Sequence, residues 1–349
     1  MSYKVSVITP VYNAESSLKN AIDSIINQTI GFENIELILV DDKSTDNSRS
    51  IVSEYAYRYD NIKSIFLDEN TGSPSEPRNI GIENVTAPYF MFLDNDDSYS
   101  KNYCEVMYDK ISDNDVDMVH AEHISELNNK LYIPNWIESI DTSNFDLVMG
   151  DKKFFLGYTS WENIYDTNFI KENEIKFPPT LYEDGVFAIR CLSKTTKPVL
   201  HLKDYVGYIY LIENEDSISH KVSLKTLTGF IEGFKLCLSE IQKTNHLDVC
   251  EELVSSLINM VLFILAKLDD NLDEGIRQLS EFENSFDFEI NLASKPLDIV
   301  NKKIMNKQFG QAKILLKLMG ILYNNKRIRN YLFVNFSDLK EFSGDSYEL

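Results

Sequence analysis

Within the first hundred residues, short apolar runs alternate with helical patterns. VSVITPV (Val5 to Val11), IELILV (Ile35 to Val40), NIKSIFLD (Asn61 to Asp68) and YFMFL (Tyr89 to Leu93) read as strands. Between them, residues 15 to 29 place Leu18, Ile22, Ile25 and Ile26 at helical spacing, with Asn13, Ser16 or Ser17 as the N-cap. STDNSRSIVSEYAYRY predicts a helix capped by Ser44 or Thr45, and PRNIGIENV a short helix with Pro77 near its start. Strands apolar on both faces, alternating with helices, require an α/β fold: a Rossmann-like, mostly parallel central sheet with helices on both faces. In such sheets ligands bind beyond the carboxyl ends of the strands. Polar residues follow three of those ends: Pro10, Tyr12 and Asn13, then Asp41 and Asp42, then Asp94 and Asp96.

Further along, residues 102 to 112 and 182 to 194 read as helices, and 116 to 124 and 199 to 212 as strands. Residues 126 to 160 read as a polar, irregular excursion. From Ser223 strand signals fade and helical patterns take over, which places a boundary near residue 220: a sheet domain over 1–220 and a helical region over 221–349.

Charge narrows the function. The formal net charge of −21 argues against a nucleic-acid binder, which needs surplus Lys and Arg. The widely spaced Cys104, Cys191, Cys237 and Cys250 predict buried free thiols in a reducing compartment. The opening MSYKVSVITPVYN lacks the build of a signal peptide, and the longest apolar run, Leu257 to Leu268, is too short to span a bilayer. These features predict a soluble, cytoplasmic protein.

Against the acidic background, Ile299 to Ser337 holds no acid and eight basic residues. Two accounts fit this asymmetry. One is attraction to an anionic surface, a lipid leaflet or a phosphate-rich polymer. The other is a bundle whose face of Leu315, Leu318, Met319 and Leu322 packs on the catalytic domain or on a second copy.

The sharpest local feature is LDNDD. In an extended segment positions i and i+2 point the same way, so Asp94 and Asp96 are expected to converge just past the sheet. Converging carboxylates call for a cation, and hard oxygen donors suit Mg²⁺ or Mn²⁺. The plain alternative is an acidic turn that ends a strand. Among the histidines, His120 and His123 are expected on opposite faces of one strand, so they should not share a metal. His201 and His246 read as structural, and Ser217, Ser219 and His220 as a segment able to contact phosphate.

TPVYN, VDDKSTD, NTGSPSEPRN, LDNDD and YEDGVF occur in that order. In them the sequence resembles the family-2 inverting glycosyltransferases of the GT-A fold, over roughly Val5 to Phe187. The resemblance implies a UDP-sugar donor. Pro10, Tyr12 and Asn13 would hold the uridine, and Asp41 or Asp42 would accept from the uracil N–H. Asn70 and Arg78 match the loop after the third strand, Arg78 facing the base or the phosphates. Asp94 and Asn95 would lie near the ribose, with Asp96 and Asp94 as ligands of Mn²⁺ or Mg²⁺. Glu183 and Asp184 match the E-D pair, whose second acid is the general base.

The spacing from Gly72 to Pro77–Arg78 resembles that of the wall teichoic acid β-N-acetylglucosaminyltransferases. Asn163 stands where relatives often have Lys, so no contact is carried over to it. The acceptor implied is a polysaccharide or lipid-linked glycopolymer of the cell envelope, modified at the inner face of the membrane. A rival reading is a non-catalytic nucleotide-sugar-binding or scaffold protein. A nucleotidyltransferase would need a basic, glycine-rich loop after the first strand, and TPVYNAESS has no Gly, Lys or Arg.

Overall fold

The computed structural model describes residues 3–127, 130–134, 146–147, 159–211, 222–243, 250–268, 270–286, 290, 292, 294–322 and 339–341. The expected alternation is present: β1 (Val5–Val11), α1 (Leu18–Ile26), β2 (Ile35–Asp41), α2 (Ser48–Arg58), β3 (Ile62–Phe66), α3 (Ser75–Asn84) and β4 (Tyr89–Phe92). Next come β5 (Ser98–Tyr99), α4 (Tyr103–Ser112), β6 (Met118–Leu127), β7 (Lys130–Pro134), β8 (Asp146–Leu147), β9 (Asn163–Asp166), α5 (Thr167–Glu172), α6 (Glu183–Lys194) and β10 (Leu200–Leu211). The helices α7 (Leu224–Ile241), α8 (Cys250–Lys267), α9 (Leu272–Glu283), α10 (Lys295–Met305) and α11 (Phe309–Leu322) follow, and β11 (Leu339–Glu341) returns to the sheet against β7.

The sheet is mixed rather than parallel throughout. Its order is β11-β7-β6-β9-β4-β1-β2-β3, with β10 beside β6. Only β3, β2, β1 and β4 form the expected parallel half. The strand after β4 in space is β9, a later segment that runs antiparallel to both β4 and β6. Register sets the strand ends: Val11 pairs with Asp41, so β1 and β2 end together, while Phe92 pairs with Ile8, so β4 ends three residues short of them and the Asp94 turn follows there. Every residue of β1 and β2 is buried, as expected of strands covered on both faces.

Helix α2 begins three to four residues later than its expected caps. Ser44 and Thr45 instead bind the loop after β1: Asn13 N–H donates to Ser44 Oγ (3.0 Å), and Thr45 N–H to Asn13 Oδ1 (2.8 Å). Asn13 adopts φ 48°, a left-handed conformation that Asn tolerates better than most residues. Helix α3 packs so closely on β1 that a Cβ at Gly81 would lie 2.3 Å from Ile8 Cγ2. That approach fixes Arg78, one turn earlier.

Beneath the strand ends lies an aromatic core of Phe90, Phe92, Tyr165, Phe177 and Phe187, in which Phe177 and Phe187 stack with centroids 4.0 Å apart. The helical region is joined to it through α6 and α7, where Tyr182 packs edge-on against Phe234. Cys104, Cys191 and Cys237 are buried free thiols, as expected. Among the described residues no helix is long and apolar enough to cross a membrane.

On α9, Glu283 is 1 % exposed beside Asn301 of α10, and burial pushes its carboxyl up to about 8. The folded chain holds this proton more tightly than the unfolded chain, so stability is lost as pH rises from about 4.5 to about 8. Glu283→Gln is therefore expected to melt several degrees higher than the parent at pH 8.5 and no higher at pH 4.5. Thermal denaturation at the two pH values checks this.

Candidate active site

The site is organised around one buried cation. Arg78, 2 % exposed, donates through Nη2 to Asp94 Oδ1 at 2.7 Å. Its Nη1 donates to Asp184 Oδ1 (3.0 Å) and Glu183 Oε1 (3.2 Å). The guanidinium lies over the Phe177 ring, 5.3 Å from its centroid, and its buried Nε finds no hydrogen-bond partner among the described residues. One side chain from α3 thus joins the end of β4 to the first turn of α6. Three carboxylates around one guanidinium leave the pocket short of positive charge. Burial, with the neighbouring Asp184, pushes Glu183 up to about 7. Asp184 is also raised by burial, against the opposing pull of Arg78. It is therefore not the unperturbed Asp that residue type alone suggests.

Asp184 Oδ1 also accepts from Ser160 Oγ at 2.5 Å. Gly185 follows it by necessity, since a Cβ there would sit 2.2 Å from the Tyr182 ring.

The D-N-D segment corrects one sequence argument. Asp94 to Asp97 is a turn closed by Asp97 N–H to Asp94 O (3.2 Å), not an extended stretch. Its side chains therefore do not follow the i, i+2 rule. Asp94, Asn95 and Asp96 are partly exposed around the turn, and Asn95 Nδ2 donates to Pro10 O (2.9 Å).

The third acid, Asp97, was not singled out from sequence. It is 4 % exposed and accepts from Tyr208 Oη (2.6 Å) and Leu211 N–H (2.8 Å). Tyr208 Oη in turn accepts from Asp94 N–H (3.2 Å). This clamp fastens the turn to β10. The signal available in sequence was the acid run itself, DNDD, but its partner lies 111 residues away.

At the ends of β1 and β2, Tyr12 is 47 % exposed beyond β1. Asp41 is fully buried, and its Oδ1 is engaged by Ser44 N–H and Arg49 Nε. Asp42 instead accepts from Asn70 Nδ2, Thr71 N–H and Thr71 Oγ1, tying down the loop after β3. Pro10, Tyr12, Asn13, Asp42, Asn70 and Asn95 thus meet in one laced rim, while Arg78 lies inward among the acids.

Elsewhere, His120, Glu122 and His201 place ligand atoms within 4.8 Å of one another on β6 and β10. Direct bonds join them to neighbours: His201 Nε2 to Glu122 Oε1 (2.9 Å) and His120 Nδ1 to Asn163 Oδ1 (3.1 Å). Burial lowers His120 to about 4, so it is neutral. Asn163, 0 % exposed, is spent on this network. His123 Nδ1 pairs with Glu162 Oε1 at 2.6 Å. Ser217, Ser219, His220 and His246 lie outside the described residues.

Arg78→Met is expected to destabilise the fold by about 3 kcal/mol at pH 8, because it strands three part-buried carboxyls. Arg78 favours the ionised forms of Glu183 and Asp184, so its contribution is full at high pH and shrinks as pH falls through about 7, where Glu183 takes up its proton. Urea denaturation at pH 8 and pH 5 measures the difference.

Residues 6–160 match the model of "Glycosyl transferase family 2". The chain is 32% identical over 214 residues to a poly(ribitol-phosphate) beta-glucosyltransferase of Bacillus spizizenii, covering 61% of this chain and 33% of that one. It is 27% identical to a cholesterol galactosyltransferase of Borreliella burgdorferi, covering 96% and 95% of the two chains. It spans a third or less of the length of several curated relatives it matches. Among solved structures, residues 1–349 of Staphylococcus aureus TarS in complex with UDP superpose with a TM-score of 0.71 at 20% identity, covering 99% of this chain and 98% of that one. The fold is thus the GT-A fold of TarS, and the chain belongs to the glycosyltransferases: besides the family 2 match over residues 6–160, it is 30% identical to an uncharacterized glycosyltransferase of Haemophilus influenzae, of which it covers 75%.

Proposed function

We propose that this chain transfers a hexose or N-acetylhexosamine from a UDP-sugar to a hydroxyl group with inversion at the anomeric carbon. The observation that carries the reading is the Arg78 bridge, which draws the D-N-D turn and the E-D pair to one point at the strand ends. A displacement needs a leaving-group end and a base end about a substrate's width apart.

The uridine would lie along the rim, with the Tyr12 ring against the base. Asp41 or Asp42 would accept from the uracil N–H: both are buried, Asp41 through Oδ1 held by Ser44 and Arg49, and Asp42 through both oxygens held by Asn70 and Thr71. Asp94 and Asp96, partly exposed and all-oxygen, fit Mn²⁺ or Mg²⁺. A divalent ion held there would neutralise charge on the departing diphosphate. Asp184 would take the proton of the attacking hydroxyl. The acceptor oxygen then bonds to the anomeric carbon as its bond to the UDP oxygen breaks. A raised Asp suits this role, because a base works best with a pKa nearer the working pH. Ser160 and Arg78, both on Oδ1, would fix its orientation.

The named relatives act on poly(ribitol-phosphate) and on cholesterol, a polymer and a lipid that both carry hydroxyls. They support an acceptor of the cell envelope, polymeric or lipid-linked, met at the inner face of the membrane. The strand-to-helix change between Leu211 and Leu224 supports a catalytic unit over 1–220 and a mainly helical unit over 221–349, from which only β11, among the described residues, returns to the sheet.

Asp184→Asn should lower transfer by about 10²- to 10⁴-fold while leaving UDP affinity intact. In the parent enzyme, the acidic limb of kcat/KM should lie above the ordinary Asp range. Loss of UDP binding in a folded Asp184→Asn protein would remove Asp184 from the base role.

A calorimetric titration of Mn²⁺ in the presence of UDP separates metal holding from fold. Asp96→Ala should lose the metal-dependent part of UDP binding. Tyr208→Phe, which removes one hydroxyl from the clamp, should weaken it by about 10- to 100-fold. Unchanged metal dependence in Asp96→Ala would refute the ligand assignment.

A further inference from the structure

We infer that the outward face of α10 and α11 is an interfacial surface that rests on a bilayer containing anionic lipid. Six large apolar side chains stand out as exposed among the described residues, and four belong to these two helices. They are Ile299 (53%), Ile314 (62%), Leu318 (50%) and Ile321 (72%). On α11 the last three recur at i, i+4 and i+7 and so share one face. The opposite face, Ala312, Leu316 and Met319, is buried against the neighbouring helices. This corrects the expected packing face: Leu318 points outward, and the helix has a second apolar face that packing does not use.

Charge selects the occupant. Lys317, on the edge of the ridge, and Lys307, in the turn before α11, are exposed. Lys302 and Lys313 are offset by Asp298 and Asp273, but no acid occurs from Ile299 to Ser337. A second copy fits poorly. Four partly exposed aliphatic side chains fall short of the roughly 800 Å² per partner of a stable interface, and each copy carries a formal −21. A bilayer asks only for apolar insertion with adjacent positive charge. With a Debye length of about 8–10 Å, it senses the near face and little of the acidic remainder. Helix α11, 14 residues long, is too short to span, so it would lie in the plane. The inference goes beyond sugar transfer and stands without it.

The test is co-sedimentation of the full chain with vesicles of phosphatidylcholine, alone or mixed with phosphatidylglycerol. The parent should pellet with the mixed vesicles only, and less as salt is raised. The triple variant Ile314→Gln, Leu318→Gln, Ile321→Gln should bind at least about tenfold more weakly, and Lys307→Glu with Lys317→Glu likewise. Both variants should keep the parent's circular dichroism and UDP-sugar hydrolysis. Failure of the parent to pellet, or undiminished pelleting of the triple variant, overturns the inference. Loss in the lysine variant alone would mean polyanion binding and also overturns it. So would light scattering that showed a dimer dispersed by the triple variant without vesicle binding.

Discussion

A guanidinium removed from water and ringed by three carboxylates fixes the geometry of the functional end of this molecule. Arg78 has its charge satisfied by Asp94, Glu183 and Asp184, which come from the turn after β4 and the first turn of α6, elements that also meet in the core through Phe92 and Phe187. The arrangement is deliberately unbalanced in charge. One cation cannot neutralise three part-buried acids, and burial, with the neighbouring acid charge, raises the carboxyls of Glu183 and Asp184. A pocket in that condition has room, electrostatically, for a further cation and a proton acceptor, which are the two things a sugar transfer needs. The Phe177 ring beneath the guanidinium ties this polar cluster to the aromatic core, so its position follows from core packing.

Around that centre, the loops are held by one another rather than by regular structure. Asn13 joins the β1 loop to the β2 loop, and Asp42 joins the β2 loop to Asn70 and Thr71. Asp97 and Tyr208 join the β4 turn to β10. Each link uses a side chain against a backbone, amide or hydroxyl group at 2.6–3.2 Å. Together they hold in place a rim that a nucleotide can meet without reorganising it.

The parallel half of the sheet and its polar termini were legible because both depend on local pattern. Val5–Val11 and Ile35–Asp41 are apolar without alternation, and only a doubly covered strand reads so. Glu183 and Asp184 were legible as a pair in the first turn of a helix. What escaped depends on distant partners. β9 is four residues long, and its place between β4 and β6 is set by strands far away in the chain. The turn at Asp94 was misread as extended because its closing bond, Asp97 N–H to Asp94 O, leaves no trace in hydrophobic pattern. Ser44 and Thr45 look like helix caps, and tertiary contacts with Asn13 claim them first. On α11, spacing alone could not say which of two apolar faces turns inward.

The account rests on Asp94 and Asp96 holding a divalent ion beside Asp184. A crystal structure with Mn²⁺ and UDP, read at the manganese absorption edge, tests it directly. The account predicts one strong anomalous peak bridging the diphosphate and the D-N-D turn, with Asp184 facing the vacant acceptor side. A peak among His120, Glu122 and His201 with the turn left bare, or UDP bound with no ion near it, would contradict the account.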